Sequence, residues 1–406
     1  MSIVALFQPD GSEVLISEDE LYARLNSIRS RPARPFSADR LDVVASVSNL
    51  LLERRKQYLP AISHFAFFTR HFALRKLASS FADRLPPSAH ARARGLAFHL
   101  PPQNVETVFL YSWLLSYISG NANVVRLPRQ ISAEMRDILN MFMVAMEKSG
   151  DATQLFIHYP SDSGLGKGIS ALSDVRIVWG GDAKVETFAP LPLRKGGKSI
   201  WFGDRFSLCV MSGAAIAALD DAGLSDIAHH MFNDVFVFDQ MACSSPQIIY
   251  VVGNKADHLS SLSRLLAKVS EVAGLKGQVP AAGHQIVKMV EAFSSAVREH
   301  SESIVWRDAH LTSTLVQATP RYEQRVGGGF LQTAFLQELN EITELIAEHD
   351  QTIAHFGFST EEIKAAADLQ VGFGASRWVP VGAALDFDAV WDGYDLPFEF
   401  TRIVRT

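Results

Sequence analysis

The chain has 406 residues, and 44 acidic against 38 basic side chains leave a formal net charge of −6. At roughly 150 residues per domain this length predicts two or three domains, and 48% apolar against 20% charged residues is a globular composition, not a disordered one. A mildly acidic chain lacks the basic surface that coats nucleic acid or an anionic membrane, so neither is an expected partner.

The N-terminal segment MSIVALFQPD has no basic region and reaches Pro9 and Asp10 almost at once, so it does not read as a signal peptide. The first ninety residues read as helical: Leu41, Val44, Val47, Leu51 and Leu52 recur at helical spacing. A second amphipathic stretch, 65–85, ends at Pro86 and Pro87. The best candidate for a membrane span, 105–118, carries Glu106 and is shorter than the ~20 apolar residues a crossing helix needs. No span is expected.

From about Gly95 the period changes. Apolar runs at 123–127 (NVVRL), 155–159 (LFIHY) and 175–181 (VRIVWGG) alternate with helical patterns over 131–148 and after Gly164. Strand, helix, strand, helix, strand is the rhythm of a parallel sheet with crossover helices. Ligands of such sheets bind at the carboxyl ends of the strands, which here means 126–128, 159–163 and 180–182. A second α/β region follows. It has helices over 225–240, 257–273 and 281–299, and strands at 247–253, 303–307, 313–317 and 352–358. Gly327, Gly328 and Gly329 mark a turn.

Several tempting motifs fail. GGKS at 196–199 would be a phosphate loop only with glycine at position 192, which is Pro192. GLGKG at 164–168 is not the dinucleotide fingerprint, and there is no GxSxG or HExxH. His229 and His230 are adjacent on a helix and point to different faces, which predicts one packed and one exposed histidine. The two cysteines, Cys209 and Cys243, lie 34 residues apart with no metal-ligand spacing, so no metal site is expected. So few thiols suit a reducing, cytoplasmic compartment.

The informative segment is FDQMACSSPQIIYV, 238–251. Cys209 sits in the apolar run SLCVM and reads as a small buried hydrophobe. Cys243 instead occupies a short polar junction between a helix and a strand, where solvent and backbone N–H groups reach sulfur; a buried role and a nucleophilic one both fit that placement. Two further segments bear on the choice. In 101–128, Asn104 follows Pro-Pro-Gln, and Gly120–Asn121 precedes a strand ending in Arg126; in 175–182, a strand ends in Gly180 and Gly181. On residue type alone, Asn104 also fits a helix cap, Arg126 a solvated surface charge, and the glycine pair a plain turn.

Taken in order, these segments resemble the aldehyde dehydrogenase superfamily. FDQMACSSPQ, VWGGD and the C-terminal WVPVGAALDFDAVWDGYDL (378–396) are most similar to its LuxC-type acyl-CoA reductases, the fatty-acid reductase component of bacterial luminescence. The resemblance implies an α/β, aldehyde dehydrogenase-like fold: two Rossmann-like α/β domains with a helical N-terminal region. It divides the chain into a nucleotide-binding domain (1–205), a thioester-forming domain (206–375) and a C-terminal return segment (376–406).

The resemblance also implies roles. Cys243 would accept the acyl group as a thioester, and Asn104 would donate to the oxyanion, a contact commonly worth ~3 kcal/mol. Arg126 would meet the adenosine ribose, and an arginine there, with Arg129 near, suits a 2′-phosphate; NADPH is therefore expected, with NADH as the other choice. Gly180 and Gly181 would let the cofactor approach the backbone. Dehydrogenases that hydrolyse the thioester place a glutamate before a Gly-Gly pair, where this chain has Arg194, and that favours hydride attack over hydrolysis. The implied reaction is NADPH-dependent reduction of an acyl-CoA, or acyl-carrier thioester, to the aldehyde. The alternatives are a CoA-acylating dehydrogenase of short aldehydes and a non-catalytic nucleotide-binding scaffold. An acyl-transferring or acyl-activating protein partner and a homo-oligomer are also implied. An ordinary thiol is only a few per cent ionised at neutral pH, so some neighbour must favour the Cys243 thiolate, and the sequence does not identify it.

Overall fold

A computed structural model describes the chain except for residues 1–2, 59, 103–106, 280, 299–300, 320, 322, 324, 371 and 373. It forms two compact units, Met1–Gly203 with Phe387–Thr406, and Asp204–Asp386.

The first unit begins with a hairpin where the periodicity predicts helix, β1 (Ile3–Phe7) and β2 (Glu13–Ser17). The reason is alternation: Val4 and Leu6 of β1 point into the core while Ile3 stays exposed. Helices α1 (Glu18–Arg29), α2 (Ala38–Glu53), α3 (Pro60–Phe68) and α4 (His71–Asp83) follow. Arg40 of α2 is buried and donates to the carbonyls of Tyr117 and Asn121 at 2.7 and 2.8 Å, with Asp151 as its counter-ion at 3.1 Å. Because stripping a guanidinium of water is costly unless it is paired, these bonds fix the helical layer in place.

Strand β3 (Ala89–Ala93) pairs with the C-terminal strand Thr401–Arg405, so Phe387–Thr406 belongs to this unit, whereas residues 376–386 of the expected return segment belong to the second. Then come β4 (Leu96–Leu100), α5 (Thr107–Ile118), β5 (Ala122–Arg126), α6 (Ala133–Ser149), β6 (Gln154–His158), α7 (Leu165–Leu172), β7 (Val175–Trp179), α8 (Asp182–Phe188) and β8 (Lys198–Phe202). The sheet order is β2-β1-β6-β5-β4-β7-β8, parallel from β6 to β8. These apolar strands are buried on both faces, as parallel strands under crossover helices must be. Helix α5 is core; its Trp113 ring stacks on Tyr117 at 5.1 Å.

The second unit contains β9 (Phe206–Ser212), α9 (Gly213–Ala217), α10 (Asp221–Phe236), β10 (Ile248–Val252), α11 (Lys255–Leu275), α12 (Ala282–Ala296), β11 (Ser301–Trp306), β12 (Thr312–Val316), β13 (Phe330–Leu336), β14 (Asp350–Phe356) and β15 (Arg377–Pro380). Its sheet runs β11-β12-β13-β10-β9-β14-β15, and only the β11–β12 edge is antiparallel. Alternate residues of β9 feed opposite cores, Cys209 and Met211 on one face and Leu208 and Val210 on the other. One expectation changes here. His229 and His230 are both exposed, because the buried positions of α10 are Leu224, Ala228, Met231 and Phe232. Helix α12 forms as expected but buries Lys288 and Glu291 while leaving Ile286, Val290 and Phe293 exposed. Lys288 donates to the Ala309 carbonyl, and Glu291 pairs with Arg298, so the buried charges are satisfied.

Candidate active site

In the first unit the chain runs from β4 out to β5 and β6, then returns to β7 on the other side of β4. That reversal opens a crevice at the carboxyl ends of the strands. A cleft of about 1060 Å³ lies there, lined by Leu100, Pro101 and Pro102 after β4, Arg126 and Arg129 around the end of β5, Tyr159 after β6, and Gly180 and Gly181 after β7. Arg126, Gly180 and Gly181, the residues expected to meet a cofactor, all border this cleft.

Arg126 is held from two sides. Its guanidinium lies 4.6 Å from the centre of the Tyr159 ring, and one nitrogen donates to Ser161 Oγ at 2.9 Å. Gly180 has φ +149°, and a Cβ there would lie 2.8 Å from the Lys184 side chain, so the turn requires glycine. Lys184 is the residue the sequence reading missed. Its Nζ donates to the carbonyls of Leu100, Pro101 and Trp179 at 3.0, 2.6 and 2.9 Å, tying the end of β4 to the end of β7. Burial, and then the like charge of Arg126, lower its pKa to about 8. The guanidiniums of Arg126 and Arg129 border the cleft as charged donors, and Lys184, its three protons engaged by carbonyls, adds a positive charge that is repelled by Arg126. The donor set therefore fits a dinucleotide. Asn104 lies outside the described residues.

In the second unit Cys243 sits between α10 and β10 on a loop of unusual backbone. Phe238, Asp239 and Gln240 all have positive φ (87°, 50° and 62°), which costs a side-chain-bearing residue roughly 1–2 kcal/mol each. Fixed partners hold the loop in that state. Gln240 is fully buried; its Nε2 donates to the carbonyls of Pro246 and Phe330 at 2.9 and 2.8 Å, and its Oε1 accepts from Gly329 N–H at 3.0 Å. Gln247 Nε2 donates back to the Gln240 carbonyl at 3.0 Å, and Ser207 Oγ donates to the Cys243 carbonyl at 2.7 Å. Gly327, Gly328 and Gly329, also left-handed, pack against the loop, and Gly328 N–H donates to Asp239 O at 2.8 Å.

The result is selective exposure. Ser244 and Ser245 are buried, whereas Cys243 is half-buried and its thiol is free of any disulfide. Cys209 is buried as expected; burial first, and then the Asp234 charge, push its thiol pKa far up. Arg325, which the sequence reading did not single out, reaches the Cys243 loop and donates to the Ala242 carbonyl at 3.1 Å. Arg194 donates to Asp174 at 3.1 Å and offers no carboxylate. Among the described residues no cluster of His, Cys, Asp or Glu can hold a metal ion, and no helix is long and apolar enough to cross a membrane.

The sequence matches the family described as acyl-CoA reductase (LuxC) over residues 65–405. No curated protein matches it. Among solved structures, methylmalonate-semialdehyde dehydrogenase from Oceanimonas doudoroffii is similar at 12% identity and a TM-score of 0.69, covering 100% of this chain and 97% of that one. An oxidoreductase from Marinobacter aquaeolei has 14% identity, a TM-score of 0.67 and coverages of 99% and 94%. For an NAD-dependent benzaldehyde dehydrogenase from Corynebacterium glutamicum the values are 15%, 0.62, 100% and 94%. At such identities these likenesses establish the aldehyde dehydrogenase-like fold.

Proposed function

Because the chain belongs to the acyl-CoA reductase (LuxC) family, we propose that Cys243 is the residue on which its acyl group is carried. The enzyme is an aldehyde-forming oxidoreductase acting on acyl-CoA. In the proposed reaction the Cys243 thiolate adds to the thioester carbonyl, the tetrahedral oxyanion collapses, and the CoA thiolate leaves and takes up a proton. The acyl group is then a thioester of Cys243. Asn104 is the proposed donor to the oxyanion. A reduced nicotinamide dinucleotide, held by Arg126, Gly180, Gly181 and Lys184, supplies the hydride. Cys243 finally departs as thiolate when the aldehyde forms, which restores the starting state.

The observation that carries this reading is the partly buried Cys243 on a loop whose strained backbone is held by buried glutamines, beside two serines that are buried. Stored strain of this kind costs stability and is characteristic of functional sites. We further propose NADPH over NADH, because Arg126 and Arg129 both border the cleft and an arginine fork suits a 2′-phosphate. A cytoplasmic location, a homo-oligomer and an acyl-transferring or acyl-activating protein partner complete the proposal. The test is NADPH consumption with a panel of acyl-CoA chain lengths, the aldehyde being trapped as it forms, alongside the reverse reaction with aldehyde and CoA. The proposal expects acyl-dependent NADPH oxidation with one aldehyde per NADPH. Equal use of NADH would overturn the nucleotide choice, and turnover unaffected by Cys243→Ala would overturn the nucleophile.

A further inference from the structure

We infer that Arg325 is the cation that keeps Cys243 in its thiolate form and holds the sulfur-bearing loop in register. The inference rests on the reading of Cys243 as nucleophile and supplies the activating group that reading requires.

Arg325 lies in the second unit, two residues before the Gly327, Gly328 and Gly329 run. That run is bonded to the Cys243 loop twice, Gly328 N–H to Asp239 O at 2.8 Å and Gly329 N–H to Gln240 Oε1 at 3.0 Å. The guanidinium is therefore fixed to the same frame as the sulfur, although 82 residues separate the two in sequence. One of its terminal nitrogens donates to the Ala242 carbonyl, immediately before Cys243, at 3.1 Å. Its Nε is buried and finds no hydrogen-bond partner among the described residues. An arginine cannot shed its charge, so a cation this poorly solvated gains from any anion beside it.

The electrostatics point to the same pair. Burial weakens the hold of Arg325 on its proton, and the Cys243 thiolate, then the Asp204 carboxylate, strengthen it. By reciprocity the permanent cation favours the thiolate over the thiol. An opposite charge nearby favours the ionised form of an acid. Asp204 shares the cation and so limits the effect. Arg325 thus acts through Cys243, as a positioning residue.

The test is the pH dependence of Cys243 alkylation by iodoacetamide, read by peptide mass spectrometry, with buried Cys209 as the unreactive internal control. Wild-type enzyme should reach half-maximal rate at least about one pH unit below the ~8.5 of an ordinary thiol. Arg325→Gln, which retains a donor for the Ala242 carbonyl but no charge, should raise the midpoint by about one unit or more. Arg325→Lys should keep most of the wild-type value. An unchanged midpoint in Arg325→Gln overturns the inference. Should that variant not fold, a wild-type midpoint at or above ~8.5 overturns it alone, and a low midpoint in both wild type and Arg325→Lys supports it. Acylation by acyl-CoA separates the two readings. If Cys243 acylates but its midpoint ignores Arg325, only this inference fails; if Cys243 never acylates, the nucleophile assignment fails whatever the midpoint.

Discussion

Replacing Gln240 with Ala removes three hydrogen bonds at once from the loop that carries Cys243. Two buried carbonyls, of Pro246 and Phe330, lose their donor, and the Gly329 N–H loses its acceptor. Leaving a buried polar group unsatisfied costs about 1–3 kcal/mol. Water entering the vacated space would recover part of that, so the expected loss is about 3–4 kcal/mol, at the upper end for a single substitution. The backbone supplies an internal control. Gln240 has φ +62°, which an alanine side chain opposes as much as the native residue does, whereas glycine adopts it freely. Gln240→Gly should therefore be more stable than Gln240→Ala by about 1 kcal/mol, the reverse of the order normally seen at right-handed positions. Urea denaturation gives the stabilities, and the rate of Cys243 acylation gives the consequence, a fall of at least about tenfold in Gln240→Ala if the loop is what presents the sulfur. Stability within ~0.5 kcal/mol of wild type, or Ala more stable than Gly, would refute the claim that these bonds hold a strained backbone.

Two further predictions concern charge. Asp234 is buried and accepts from the N–H groups of Gly382 and Ala384 at 2.7 and 2.9 Å; burial outweighs those bonds and pushes its pKa up to about 7. Its folded value lies above the ~3.9 of the unfolded chain, so folded protein retains a proton that unfolded protein has lost, and this group's contribution falls as pH rises from ~4 to ~7. Asp234→Asn removes that dependence, so its stability relative to wild type should improve by about 2 kcal/mol between pH 5 and pH 8, and a pH-independent difference would contradict the linkage. In the first unit, Arg126→Ala should raise the NADPH KM by roughly tenfold or more while leaving that for NADH less affected, since hydrogen bonds to charged groups contribute ~1.5–3 kcal/mol. Equal losses for both nucleotides, measured by initial rates, would remove Arg126 from 2′-phosphate recognition.

The parts of the fold legible in the sequence are those with one dominant local cause. Strands β5, β6 and β7 are largely apolar runs (ANVVR, QLFIH and VRIVW) because both faces are covered, and the glycines after β7 punctuate them. Strands β1 and β2 escape notice because they are partly exposed, with Leu15 at 69%. Strand β13 escapes because Gln332 interrupts its apolar run, while its backbone N–H pairs with Gln247 O. Cys243, Arg126, Gly180 and Gly181 are visible because each sits at a junction between elements. Lys184, Gln240 and Arg325 are not, because their roles depend on carbonyls and neighbours far along the chain. No spacing rule announces that Gln240 adopts a left-handed backbone, since residue preference argues against it.

The most direct measurement is mass spectrometry of the enzyme after incubation with acyl-CoA and no reduced nucleotide, followed by peptide mapping. The account predicts one acyl group per chain, on the peptide containing Cys243, absent in Cys243→Ala and discharged as aldehyde when NADPH is added. An adduct on any other residue, or one on Cys243 that NADPH does not discharge, would contradict it.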